Sequence, residues 1–178
     1  MTLEQHVPDG FEAFNSSPFL AVIGPVWVSR RHVPPTFGIR IEERHTNTSG
    51  TAHGAMLVAL ADLALGHGIR AVADRNLRLV TAGLTVDFAR PARVGDWVEA
   101  HADIQHQSRR NVFANCYLVS YGQRVVRASG STRSWTSETQ VVRLSLGVVV
   151  IVYGDHHRAT IDGSFRRRCS SRRRGRGG

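Results

Sequence analysis

Between residues 52 and 73 the chain is apolar at almost every position, rich in Ala, Leu and Met, free of Pro, and broken only by Asp62 and His67. That run predicts a helix, and one apolar on every face predicts a buried helix. The flanking segments change period. Phe37-Gly38-Ile39-Arg40-Ile41-Glu42 alternates apolar and other residues before the polar cluster His45 to Gly50, which reads as a half-buried strand and a loop. Four further β-type segments follow, at Leu79 to Phe88, Trp97 to Gln107, Asn111 to Tyr121 and Arg124 to Trp135. The breaks between them are short, and parallel crossovers need a dozen or more residues, so an antiparallel meander is expected.

Upstream, Gly10 to Ser17 reads as a short helix or turn docking Phe11 and Phe14, ended by Pro18. Phe19 to Ser29 reads as a bent or two-part edge strand punctuated by Gly24-Pro25. Beyond Ser137 the pattern degrades. Val141 to Tyr153 is read as an extra strand, and Arg166 to Gly178 as a basic low-complexity end that forms no core. The expected architecture is α+β, an antiparallel sheet wrapped around one long buried helix, in a domain spanning 1–137 with a basic, disordered extension over 138–178.

Composition refines this picture in three ways. Its 178 residues suffice for one domain with a real core. The formal charge of +9 is concentrated in the tail: residues 1–137 hold 14 Arg against 11 acids, residues 138–178 hold 9 Arg against 3. Beyond Phe165 no aromatic residue interleaves with the arginines of Arg166 to Arg176, so neither nucleic acid nor membrane is expected as a partner. Cys116 and Cys169 lie far apart and suggest no disulfide framework. Met1 to Gly10 carries Glu4, His6, Pro8 and Asp9 and does not resemble a leader, so a cytoplasmic protein is expected.

The chemistry gathers at Asn47-Thr48-Ser49-Gly50-Thr51-Ala52-His53-Gly54-Ala55, where a glycine-containing turn enters the helix. First-turn amides lack intrahelical acceptors and sit at the dipole's positive end, so the Gly54 N–H is a candidate donor to a developing oxyanion. Asp62 lies eight residues on, over two turns away, and a carboxylate on an apolar surface needs a partner or a polar cleft. In a dimer with antiparallel helices, Asp62 of one subunit faces the Gly54 end of the other, as general base or nucleophile. Asn47 alone reads as a turn residue, and His53 as a helix-start residue. His67 lacks a carboxylate or Cys at ligand spacing, so no metal is assigned.

The pattern Asn47-x-x-Gly50-x-x-His53-Gly54, with Asp62 eight residues later, resembles the hotdog-fold thioesterases of the phenylacetate-pathway (PaaI-like) type. Thr85-Val86-Asp87-Phe88-Ala89-Arg90-Pro91 and Val94-Gly95-Asp96 extend the likeness, which covers roughly Pro18 to Trp135. The resemblance implies hydrolysis of acyl-CoA-type thioesters in a homodimer or homotetramer, with no cofactor beyond the CoA of the substrate. It implies that Gly54 polarises the thioester carbonyl and that Asp62 activates water or attacks directly. Asn47 and His53 match positions that orient substrate and shape the turn. Thr81 matches a hydroxyl that holds the water, with Thr85 as the competing choice. Gly50 and Ala55, the latter standing where relatives carry a second glycine, are candidate substrate contacts. Arg109 and Arg110 are candidates for the CoA phosphates. The alternatives are a non-catalytic acyl-thioester-binding module, favoured by Ala55, and a hotdog hydratase or dehydratase pairing Asp62 with His67.

Overall fold

The computed structural model describes residues 7–73, 78–108, 110–135, 141–144 and 147–150. The chain divides into two compact units, Met1–Thr136 and Ser137–Gly178. The first contains, in order, β1 (Glu12–Phe14), α1 (Pro18–Ile23), β2 (Val26–Ser29), β3 (Thr36–Arg40), a 3-10 turn (Glu43–His45), α2 (Gly54–Val72), β4 (Arg78–Phe88), β5 (Trp97–Gln107), β6 (Asn111–Ser120) and β7 (Gln123–Trp135). In the second, β8 (Val141–Leu144) and β9 (Gly147–Val150) pair as an antiparallel hairpin where a single strand was expected. Arg166 to Gly178 lies outside the described residues.

Seven strands form one sheet in the order β1-β2-β3-β5-β6-β7-β4, and every neighbouring pair is antiparallel. The alternation on β6 shows how the core is made: Val112, Ala114, Cys116 and Leu118 are buried, and the same face of β7 contributes Val126, Ala128 and Gly130. Helix α2 lies on that face through Leu57, Leu60, Ala61, Ala64, Leu65, Gly68 and Ile69. Contact is close at two glycines. A Cβ on Gly130 would sit 2.8 Å from Leu65, and one on Gly68 would sit 2.7 Å from Ala102. By length and apolarity α2 is also able to cross a bilayer, but here eight of its residues are buried within the unit.

Four expectations are corrected. Pro18 begins a helix instead of ending one: Ser17 caps α1 by accepting from the Leu20 N–H, and Pro at the first helical position sacrifices no intrahelical bond. The aromatic stretch before it is therefore free to pair as β1, and Val26–Ser29 lies inside the sheet between β1 and β3. The meander holds only for β5-β6-β7. β4 pairs with β7 at the far edge, and residues 89–96 carry the chain back across to β5. Finally, α2 is not buried all round. Ala55 is exposed, and Val58, Ala59, Asp62, Leu63 and Gly66 are only partly covered, so its outer face is apolar and open in the single chain.

His45 ties the turn before α2 into the body. Its ring is buried, its Nδ1 accepts the Glu42 N–H at 3.0 Å, and its carbonyl accepts the His53 N–H at 2.7 Å. Burial lowers its pKa from 6.5, and burial together with the charges of Arg70 and Arg30 lowers that of His67. Unfolding therefore takes up protons once pH falls below about 6.5. Stability contributed by the neutral imidazoles is full above that value and is lost as pH drops towards the depressed folded-state values. The melting temperature should be level from about pH 8 to 7 and fall by about pH 5.5; an unchanged melting temperature over that range would contradict the burial argument.

Candidate active site

The loop before α2 is built by Asn47. Its Oδ1 accepts the backbone N–H of Ser49 at 2.9 Å and of Thr51 at 3.3 Å, and its Nδ2 donates to Thr51 Oγ1 at 3.1 Å. Gly50, at φ +71°, closes the turn by donating to the Asn47 carbonyl, a conformation that favours a residue without Cβ. Asn47 thus spends both ends of its amide on shaping the loop. Isolated bridges from Thr46 to Ala52 and from Thr51 to Arg93 then aim the chain into the helix.

At the helix start, three of the first four amides are occupied. Ala55 N–H goes to His53 Nδ1 at 3.1 Å, and Met56 and Leu57 N–H go to the His53 carbonyl. That leaves the Gly54 N–H as the one without a partner among the described residues, pointing from the positive end of a 19-residue helix. Because His53 Nδ1 accepts, a neutral His53 carries its proton on Nε2, available as an outward donor. Phe88, at the end of β4, walls this position: a Cβ on Gly54 would lie 3.1 Å from its ring. Ala55 is exposed beside it.

Two turns further along α2, Asp62 accepts a hydrogen bond from Thr81 Oγ1 at 2.7 Å. A β-bulge makes this possible. On β7, Thr132, Gly130, Ala128 and Val126 face the helix, and their β4 partners are Thr81, Leu84, Val86 and Phe88. The inward positions switch from odd to even because Ala82 is an extra residue between Thr81 and Gly83. Thr81 and Leu84 therefore share a face, while Thr85, opposite Ser129, turns the other way. Of the two threonines, Thr81 is the one that hydrogen-bonds Asp62.

Asp62 and Thr81 line a cleft of about 400 Å³ between α1, α2 and the sheet, together with Phe19, Leu20, Ala59, Leu63, Gly66, His67, Arg70, Leu79 and Thr132. Gly54 and His53 are not part of it. Eight residues at ~1.5 Å each separate Asp62 from Gly54 by ~12 Å along one helix, so a single chain does not bring the two together. His67 sits edge-on to Phe14 and against Phe37, with ring centroids 5.0 and 5.5 Å away, as a half-buried aromatic neighbour of the cleft. Arg110 lies at the β5–β6 hairpin, not among the residues lining this cleft, and Arg109 falls outside the described residues. Burial pushes the Cys116 thiol up to about 12, which removes it as a nucleophile at neutral pH. Sequence reasoning missed Thr132 and the apolar lining from α1. The signal for the first was present, a hydroxyl on the same parity of β7 as Val126, Ala128 and Gly130.

Residues 49–127 match the thioesterase superfamily. A Pseudomonas aeruginosa protein that carries the name of an esterase is 40% identical over 129 residues, covering 70% of this chain and 95% of that one. Similarity also extends to the Escherichia coli acyl-coenzyme A thioesterase PaaI, 31% identical over 80 residues, which are 45% of this chain and 55% of that protein. The solved structure of the E. coli PaaI protein from the phenylacetic acid degradation operon shares the fold, with a TM-score of 0.62 and 20% identity over 68% of this chain and 86% of that one.

Proposed function

The chain belongs to the thioesterase superfamily as a PaaI-like hotdog protein, and on that footing we propose that it hydrolyses acyl-CoA thioesters to the free acid and CoA. The observation that carries the proposal is the 2.7 Å hydrogen bond from Thr81 to Asp62, placed in a cleft lined by both polar and apolar side chains. Thr81 holds one carboxylate oxygen and leaves the other free to accept a proton from water. The water oxygen bonds to the acyl carbon as Asp62 takes its proton. The carbonyl oxygen, now negative, is met by an unpartnered amide at a helix start. The C–S bond then breaks, and the proton returns from Asp62 to the departing thiolate. Direct attack by the carboxylate is the competing route, and a rapidly quenched reaction would reveal it as an acyl adduct on Asp62.

That amide belongs to Gly54 of a second copy. The open apolar face of α2, with Ala55, Val58, Ala59, Leu63 and Gly66 partly uncovered around Asp62, is the surface that supports such an assembly. With two such helices antiparallel, the ~12 Å between Asp62 and Gly54 along one chain becomes adjacency across two. A homodimer satisfies this geometry, and a tetramer would be a pair of such dimers. Arg110 is available to the CoA phosphates from its hairpin.

The experiment is thiol release from a panel of short, long and aromatic acyl-CoAs, with oxygen esters of the same acids alongside. Turnover of thioesters supports the reading. Saturable binding of acyl-CoA without release would favour the non-catalytic module to which Ala55 points, and turnover of oxygen esters alone would replace CoA thioesters as the substrate class.

Gly66 offers a further check on the cleft. It lies in the interior of α2, where glycine costs about 1 kcal/mol relative to alanine, and an added Cβ there meets no atom within 4 Å. Gly66→Ala should raise KM for bulky acyl groups more than for small ones. Equal effects on all acyl groups would show that Gly66 does not floor the acyl site.

A further inference from the structure

We infer that Thr132 is a second positioning residue for the attacking water, an assignment that rests on the hydrolytic reading above. Thr132 stands directly opposite Thr81 in the β4–β7 register, on the face turned towards α2, and lines the same cleft as Asp62. It is only 4% exposed, yet its Oγ1 has no hydrogen-bond partner in the described structure. Two other buried side-chain atoms share that condition, in His45 and Ser120, and neither lines the cleft.

The inward positions of β7 that precede it, Val126, Ala128 and Gly130, carry no polar side chains. Valine has nearly the shape of threonine and would fill the site without stranding a hydroxyl, so packing alone does not call for threonine here. Water supplies the missing partner. Opposed residues on adjacent strands place their Cβ atoms ~5 Å apart, so the hydroxyls of Thr81 and Thr132 flank one small volume beside the carboxylate. Thr81 spends its hydrogen on Asp62 Oδ1. A water that gives one hydrogen to the free Asp62 oxygen must direct its second elsewhere, and the Thr132 hydroxyl, covered in the single chain, becomes its acceptor once Oγ1 turns towards the cleft. With both hydrogens held, the remaining lone pair faces the acyl carbon. Thr132 forms no bond to substrate and carries no proton. It sets the direction from which water attacks.

The test compares wild type, Thr132→Val and Thr132→Ser for kcat, KM and melting temperature on whichever acyl-CoA the panel shows to be turned over. Thr132→Val should melt at or above the wild-type temperature and keep its KM while kcat falls about tenfold, and Thr132→Ser should return kcat to within about twofold of wild type. A Val variant with wild-type kcat, or a Ser variant as impaired as Val, overturns the assignment and leaves the hydrolytic reading standing. A wild-type protein that turns over no thioester overturns both.

Discussion

Asp62→Asn is expected to fold and melt as the parent does while turning over acyl-CoA about 10² to 10⁴ times more slowly, the range associated with a lost general base. Asparagine keeps the shape of the side chain and an oxygen able to accept from Thr81, so the hydrogen bond that orients it survives. What it loses is the basic oxygen that receives the water proton. KM should change little, because the loss falls on the transition state and not on substrate binding. An Asn variant with more than a tenth of wild-type kcat would show that the carboxylate neither activates water nor attacks. Thr81 provides the control: Thr81→Val removes the orienting hydroxyl alone and should cost less than Asp62→Asn.

Gly54→Pro removes the one group assigned to the oxyanion, its backbone N–H, and nothing else in the helix. Proline at the first helical position costs no intrahelical hydrogen bond, and it demands an extended residue before it. His53 already has φ −64° and ψ 132°. The proline Cβ would lie 3.1 Å from the exposed Phe88 ring, which must give way. The helix should therefore form as before, with kcat down about 10² to 10³ fold. Gly54→Ala, which keeps the amide, should retain most activity. Full activity in the proline variant would mean that the carbonyl is polarised elsewhere. Mixed with Asp62→Asn under conditions that exchange subunits, Gly54→Pro should restore roughly a quarter of wild-type activity, since half of the random dimers are mixed and each has one intact pair. No recovery after proven exchange would place both residues of a site on one chain.

Local rules carried the reading of the helix and strands. The helix start was legible because a histidine and a glycine stand at the head of a long, mostly apolar run, and β5 has the bounds its alternation predicts, Trp97 to Gln107. Pro18 was misread because proline both stops helices and opens them, and the difference lies in Ser17 accepting the Leu20 N–H as a cap. Strand order was out of reach: residues 89–96 are too short for a parallel crossover but long enough to skip between distant antiparallel strands, and nothing local says which. Apolarity all round α2 was read as burial on every side by its own sheet, but the sheet covers one face and leaves Val58, Ala59, Leu63 and Gly66 partly open. Thr81 was found by likeness, and the reason it beats Thr85 is a single unpaired residue that no periodicity scan weighs. Thr132 escaped because a lone threonine in a strand is ordinary until its neighbours are seen.

That unpaired residue, Ala82, works as a frame shift written into a strand, and everything on the arginine side of it is read in the opposite phase from everything on the phenylalanine side. If the bulge were flattened with Ala82 kept and Leu84 and Val86 still anchored, Ala82 would turn towards the helix and Thr81 out to bulk water, so the Thr81–Asp62 hydrogen bond depends on the strand keeping its extra residue unpaired.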